Sequence, residues 1–261
     1  MRTNLSIIIV NYQSRMYLEK CLASIYAKIS SRVSFEIIII NNDLQEDVVG
    51  LEAIFPEVRI IQNSRNNGFG GANNLGAKEM KGEILFFLNP DAEIVSDNIS
   101  LILKQFRDNP ILGVLGSRLI APNGKVQKWS AGSDVNLWSI LKNNLKLSWD
   151  KKYWYSQKTS EVSWVAGTAL FIRQELFFQL GGFDERFFLY FEDVDFCKRA
   201  RNLGKKVVYF PQFSILHHGG KSFSLKESQK KSYYQSQDYY FRKHFGFFQS
   251  KLLKILRFFS F

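Results

Sequence analysis

Residues 83–94 read EILFFLNPDAEI, from Glu83 to Ile94. The apolar run Ile84 to Leu88 has no alternating polar residue, as expected of a strand covered on both faces. It stops on Asn89-Pro90-Asp91. Pro90 has a fixed φ and no N–H, so strand pairing ends there and Asp91 is held at the strand's C-terminal edge. Open α/β sheets bind their ligands along that edge. A polar turn that merely closes a strand would look the same locally. The rest of the chain has to say what the carboxylate is for.

Working outward, Leu5 to Val10, Phe35 to Ile40 and Val58 to Ile61 are further apolar, β-branched runs. Ser14 can cap a helix whose Leu18, Cys21, Leu22, Ile25 and Ile29 recur at helical spacing. Ala72 to Met80 reads as another helix, with Gly82 beyond its end. Strand and helix alternate from residue 5 to about residue 110. That order predicts an α/β fold, a mostly parallel Rossmann-like sheet with helices on both faces. The C-terminal strand ends then gather Asn11, Asn41 to Asp43, the loop Asn63 to Asn74 and Asp91 along one rim.

The glycine-rich stretch Asn66-Asn-Gly-Phe-Gly-Gly-Ala-Asn-Asn74 lies between a strand and a helix. A dinucleotide-binding fingerprint needs Gly or Ala where Asn73 stands, which argues against a nicotinamide or flavin enzyme. Small residues such as Gly68 still let backbone N–H groups face a phosphate or a base. A packing turn is the simpler alternative.

In the second half, Val162 to Ile172 is an apolar strand with Gly167 permitting close backbone approach. Residues 181–204, GGFDERFFLYFEDVDFCKRARNLG, crowd Asp184, Glu185, Glu192, Asp193 and Asp195 among aromatic residues that include Tyr190. Crowded carboxylates need a cation or a shared proton, and either arrangement suits a general base. The same acids could instead be first-turn charges favoured by the dipole of the helix running through Cys197, above all Asp195. Val207 to Phe210 reads as a strand, and two of the three histidines, His217 and His218, follow it before two glycines. An acid at one strand end and an imidazole elsewhere suit a divalent cation bound mainly by oxygen.

Composition sets the class. The chain has 261 residues, 46% hydrophobic and 23% charged, which is globular, and its 15% aromatic content demands a large core or an apolar surface. From Lys221 onward nine basic residues face two acids, a net +7 of the chain's +11. Such a tail suits an anionic partner, nucleic acid or lipid headgroups. No signal peptide is read at the N-terminus, and no run reaches the roughly 18 apolar residues of a membrane span. Cys21 and Cys197 read as buried free thiols, which places the protein in the cytoplasm.

Five segments in this order, SIIIVNY, NNGFGGANN, FLNPDAEI, GGFDERFFLYFEDVDFCKR and LHHGGKS, resemble the inverting family-2 glycosyltransferases of the GT-A fold. The resemblance covers about residues 4 to 222 and is closest to rhamnosyltransferase-like members that build bacterial surface polysaccharides, O-antigen among them. It implies transfer of a sugar, L-rhamnose from dTDP-rhamnose first, from a nucleotide diphosphate to a saccharide or polyprenyl-linked saccharide. A UDP-hexose donor is the alternative. Asp91 resembles the last acid of the family's metal motif, which binds Mg²⁺ or Mn²⁺, with Asn89 replacing the first acid. His217 resembles the second protein ligand, ahead of His218. Asp193 resembles the catalytic base and Glu192 its partner in the ED motif. Asn11, Asn41, Asp43, Gly68, Asn73, Asn89 and Asp91 would hold the donor nucleotide. Asn41 stands where related enzymes carry an Asp, and Asn73 near where they carry an Arg. Trp129, Gly167, Asp184 and Tyr190 are the expected acceptor contacts.

All five tryptophans lie between 129 and 164 (Trp129, Trp138, Trp149, Trp154, Trp164), a segment without regular strand pattern. We read 120–164 as an aromatic insertion over the site of a domain spanning 1–222, with core packing for Trp164. Residues 223–261 form a basic tail. In it Phe245, Phe248, Leu252, Ile255, Leu256 and Phe259 fall at helical spacing opposite Lys251, Lys254 and Arg257. This predicts an amphipathic helix lying on the inner face of the plasma membrane and separable from catalysis, or else packed on the domain. A nucleic-acid-binding module would explain the charge, but no groove-reading motif is present. A non-catalytic nucleotide-binding relative remains the other alternative, given Asn41 and Asn89. The sequence sets no oligomeric state.

Overall fold

The computed structural model describes residues 3–48, 50–144, 150–219 and 226–258. Trp149, Phe259 and the Lys221 and Ser222 end of LHHGGKS lie outside them, as does the expected domain boundary at 222. The chain begins β1 (Leu5–Asn11), α1 (Arg15–Lys28), β2 (Phe35–Asn41), α2 (Leu51–Ile54), β3 (Val58–Gln62), α3 (Gly68–Ala77) and β4 (Ile84–Leu88). Then come β5 (Ala92–Ile94), α4 (Ile99–Asp108), β6 (Leu112–Ile120), β7 (Ala131–Gly132), α5 (Leu137–Asn144), α6 (Lys151–Trp154), β8 (Ser160–Glu161) and β9 (Trp164–Val165). The last elements are β10 (Ala169–Arg173), α7 (Gln174–Gln179), α8 (Glu192–Asn202), β11 (Lys206–His217) and α9 (Lys226–Phe258).

The main sheet runs β3-β2-β1-β4-β10-β6-β11-β5, with β8 beside β11. Strands β3, β2, β1 and β4 are parallel, β10 enters antiparallel between β4 and β6, and β11 returns parallel to β6. Alternate residues of each strand feed separate cores. Ile7, Ile9, Ile37, Ile39 and Phe86 join one, and Ile8, Ile38, Ile40, Leu85 and Phe87 the other. Both faces are thus covered, which is why these strands are continuously apolar. Each such side chain contributes about 1.5–3 kcal/mol by burial. Phe86 and Phe171, paired across β4 and β10, stack at 3.9 Å between ring centroids.

Five local expectations change. Helix α3 begins at Gly68, four residues before Ala72, so the glycine-rich stretch is its first turns. A Cβ on Gly76 would come 2.7 Å from Ile8 Cγ2, so this glycine lets the helix lie close on the sheet. Ser14 is the N-cap of α1 but donates its hydroxyl to Asn11 Oδ1 (3.0 Å). The N–H groups of Ser14 and Arg15 are capped instead by the Glu46 carboxylate, at 3.1 and 2.8 Å. The strand expected over Val162 to Ile172 is two strands, β9 and β10, broken at Ala166 to Thr168. Ala166 N–H bonds Ser130 O there, and Thr168 O accepts from Asn89 N–H. Strand β11 extends to His217, passing Pro211 by a register shift against β6 between Phe210 and Ser214. The tail is not one amphipathic helix, because α9 breaks at Gly246 (φ 82°, ψ 178°). Only glycine adopts that conformation readily, and it resets the helical phase.

The second arm of α9 folds back on the first. Arg257 binds Gln237 Oε1 at 2.6 Å and Asp238 Oδ1 at 2.8 Å, and Ser250 Oγ donates to Asp238 O. Tyr240, Phe241 and Leu253 are buried against Phe187 and Phe191. The tail is therefore packed on the domain. Its outer face carries Phe248 (86% exposed), Leu252 (42%) and Ile255 (55%), at helical spacing beside Lys251. Among the described residues no helix is long and apolar enough to cross a membrane.

Candidate active site

Asp91 leaves β4 at the Asn-Pro turn and is 1% exposed. Strand β5 follows at once and pairs antiparallel with β11, placing His217 opposite Ala92. That register brings His217 Nε2 to 3.4 Å from Asp91 Oδ1. Gln127 fixes the imidazole. Its Nε2 donates to His217 O (2.7 Å), leaving its Oε1 to accept from His217 Nδ1–H at 2.8 Å. His217 Nε2 is then the nitrogen that faces Asp91, the orientation in which a histidine can bind a metal. Two cis ligands about 2.1 Å from one octahedral ion stand about 3 Å apart, so the pair fits a Mg²⁺-sized cation. Among the described residues no cluster of three or more His, Cys, Asp or Glu forms a complete metal cage. His218 is turned elsewhere, with Nε2 at 2.7 Å from Glu93 Oε1 and its ring against Tyr17.

Glu192 and Asp193 open α8. Immediately before them Tyr190 and Phe191 have φ of 70° and 69°, a left-handed conformation uncommon for any residue with a side chain. Consecutive aromatic residues hold it because α9 buttresses them. Tyr233 packs on both rings, Tyr240 on Phe191, and Ser236 Oγ donates to Leu189 O at 2.8 Å. Strain of this kind collects at functional sites. Asp193 Oδ2 accepts from Gly167 N–H at 2.8 Å and Oδ1 from Val194 N–H at 2.7 Å. Burial raises its carboxyl pKa despite those hydrogen bonds. Glu192, 5% exposed, is pushed well above the usual range by burial and by neighbouring Asp193, and its Oε2 has no hydrogen-bond partner. Two adjacent buried carboxyls, both raised, form the kind of environment that tunes a general base.

Both acids line a cavity of about 720 Å³, with Asn89, Gly167 and Thr168 at the strand ends and Phe69 from α3. Trp129 and Tyr190 line it as well. Trp129 is 48% exposed, has φ 63°, and packs on Trp154 at 4.9 Å. Trp164 lines it too, 9% exposed, with Nε1 donating to Ser133 O. The tail also forms a wall, unanticipated above, through Tyr233, Tyr234, Gln237, Leu253 and Arg257. Their spacing of three or four along a helix was the available signal. Gln127, which orients His217, carried none.

Other expected site residues lie in the interior. Asn11 and Asn41 are fully buried and bonded to each other (3.0 Å), to Glu46 and to Gln62. Asn73, 1% exposed, donates to Phe69 O. A Cβ on Gly68 would stand 2.1 Å from Phe188 O, and Phe69 N–H donates to that carbonyl, so the glycine is a packing seam beneath residues 183–192. Asp43 is half-buried and accepts from Gln45 N–H. Asp184 is absent from the cavity lining. It is held by Arg186, Lys243 and Tyr239, whose hydrogen bonds outweigh burial and keep its carboxyl well below the usual range. Asp195 is structural as well, buried among Arg199, Lys243 and His244, which outweigh burial and lower its pKa.

Known proteins resemble this chain in sequence and in fold. Residues 6–177 match the family model "Glycosyl transferase family 2". The N-acetylglucosaminyl-diphospho-decaprenol L-rhamnosyltransferase of Mycobacterium tuberculosis is 28% identical, over 97% of this chain and 89% of that protein. The rhamnosyltransferase WbbL of Escherichia coli K12 is 28% identical over 61% of this chain and 65% of its own length. The crystal structure of GalNAc-T7 with UDP, GalNAc and Mn²⁺ superposes with a TM-score of 0.67 at 17% identity, over 82% of this chain and 44% of that one. Staphylococcus aureus TarS 1-349 in complex with UDP-GlcNAc gives 0.61 at 17% identity, over 90% and 65%. These solved structures share the mixed sheet and its flanking helices. The chain belongs to glycosyl transferase family 2.

Proposed function

We propose that the protein transfers a sugar, L-rhamnose first, from a nucleotide diphosphate donor to a lipid-linked saccharide with inversion at the anomeric carbon. The observation that carries this reading is the Asp193 carboxylate, aimed by Gly167 N–H into the cavity with its pKa raised by burial. Asp193 takes the proton from the acceptor hydroxyl as that oxygen attacks the anomeric carbon from the face opposite the nucleotide. One C–O bond forms, the bond to the departing diphosphate breaks, and no covalent enzyme intermediate is needed. Asp91 and His217 would hold Mg²⁺ or Mn²⁺, which when bound offsets charge developing on the diphosphate. Trp129 and Tyr190 supply ring faces for the acceptor sugar.

The rhamnose assignment draws on the M. tuberculosis and E. coli relatives, both rhamnosyltransferases by name. A UDP-linked hexose is the second reading, favoured by the UDP and UDP-GlcNAc complexes of the structural neighbours. The exposed stripe Phe248, Leu252 and Ile255, with Lys251 alongside, supports peripheral docking on an anionic bilayer at the inner face of the plasma membrane. The test is thermal stabilisation by dTDP, UDP and GDP, each with and without Mn²⁺. Manganese-dependent stabilisation by dTDP above UDP is expected. Preference for UDP would replace rhamnose with a UDP-hexose, and no response to any nucleotide would overturn donor binding.

A further inference from the structure

On the tail's wall of the cavity, Gln237 is held at one end of its amide and free at the other. Arg257 Nη2 donates to its Oε1 at 2.6 Å. A guanidinium has donors only, so this contact fixes which end of the amide is oxygen, and the N–H groups of Nε2 point away from it. Arg257 is itself held, by Asp238 Oδ1 at 2.8 Å and by the Tyr234 ring, 4.2 Å from the guanidinium. Gln237 Nε2 donates to no group among the described residues, and it is not sealed off, although the residue as a whole is only 4% exposed. The cavity it lines is its remaining access. Ser133 and Ser139, on the opposite lining, instead spend their hydroxyls on Asp150 and on Asn136 O. Gln237 also stands on the face of α9 that supports the base. Tyr233, one turn earlier, packs on Tyr190 and Phe191, which lead directly into Glu192 and Asp193.

We infer that Gln237 is a specificity-determining residue, whose Nε2 donates to a hydroxyl oxygen of the acceptor sugar other than the attacking one and so sets which hydroxyl reaches Asp193. This rests on the glycosyltransferase reading and adds to it the residue that selects the position of the new linkage. A single contact at Asp193 leaves the sugar ring free to turn and present another of its hydroxyls. A second hydrogen bond from a fixed direction removes that freedom. The two groups are also chemically opposite. Asp193 accepts a proton and Gln237 Nε2 can only donate, so the hydroxyl at Gln237 keeps its proton while the one at Asp193 gives it up. The tail then takes part in choosing the product as well as in supporting the base.

The test measures binding to the full-length protein, without sugar transfer, of octyl β-glucoside and its singly deoxygenated analogues below their micelle concentrations. In the unaltered protein, loss of one particular hydroxyl should weaken binding about 5- to 100-fold, the range for a buried donor left unpaired. Gln237→Glu keeps an oxygen for Arg257 and loses the donor, so it should bind the full glycoside more weakly by a similar factor and be indifferent to loss of that same hydroxyl. Gln237→Met, which adds no charge, should show the same indifference. Melting temperature and Mn²⁺-dependent dTDP affinity should stay unchanged in Gln237→Glu. Discrimination among the analogues that survives in both variants would overturn the inference, as would failure of the unaltered protein to bind the glycoside. A fall in melting temperature together with equal weakening of every analogue would make Gln237 a packing residue and overturn it too. Absence of dTDP binding in the unaltered protein would overturn the glycosyltransferase reading beneath it, and that arm is read without any glycoside.

Discussion

The two ends of the site are built differently. At the Asp91 end, strand edges do the work. The β5–β11 register sets the Asp91–His217 pair, Gln127 fixes the imidazole, and Asn11, Asn41 and Asn73 are buried with their amides engaged. At the Asp193 end, a helix start is held by two left-handed aromatic residues. Glu192 is left with a carboxyl oxygen lacking a partner, and walls come from α9 and from the segment around Trp129, both distant in sequence. One end is set by strand register and the other stores strain. Local rules are broken beside the proposed base and kept along the strand edges.

The largest expected effect lies at the strained end. Asp193→Asn should lower transfer about 10²- to 10⁴-fold, the usual contribution of a general base, with dTDP affinity retained. Equal loss of nucleotide binding would show that Asp193 serves the donor and that the two ends are not separate. Next comes the seam between them. Gly68→Ala forces a left-handed φ on alanine and drives its Cβ into Phe188 O, so the chain should lose on the order of 3 kcal/mol in denaturant unfolding. An unchanged midpoint would mean that residues 183–192 are not seated on α3.

At the scaffold end, Gln127→Leu should weaken Mn²⁺-dependent nucleotide binding about 10- to 100-fold while leaving metal-free binding alone, as for other residues that orient a ligand. Equal change with and without Mn²⁺ would make Gln127 a packing residue only. The smallest effect is one of pH. The folded pKa of Glu192 is raised, so its contribution to stability is greatest below the ordinary carboxyl range and is lost as pH rises through the raised value. Glu192→Gln should therefore match the parent in melting temperature at acid pH and exceed it increasingly toward neutral pH. A constant difference across the range would mean Glu192 does not titrate in the fold.

The tail sharpens the contrast between reading and building. Viewed along the chain, Phe245 to Phe259 is an amphipathic stripe that could be removed without touching the enzyme. In the structure, truncation before Lys243 would take away the Lys243 and His244 partners of Asp195 and the Leu253 and Arg257 wall of the cavity. Gly246 made the difference, because one left-handed residue changes which side of the second arm faces inward. The outward stripe survives in Phe248, Leu252 and Ile255, so an exposed apolar face and a cavity wall share one helix.

The sequence by itself determined the strands and the order of the acids. Continuous apolar runs must be covered on both faces, Pro90 must end β4, and two adjacent carboxylates among aromatic residues need a special environment. Those are local consequences of period, proline geometry and desolvation. Tertiary structure decided which polar residues face the cavity. Asn11, Asn41, Asp184 and Asp195 look as available in the sequence as Asn89 and Asp193, which line the cavity, and differ in partners brought from elsewhere. A side chain's exposure depends on contacts between segments distant in sequence, such as β5 with β11 and α8 with α9. The spacing within either segment does not carry that information.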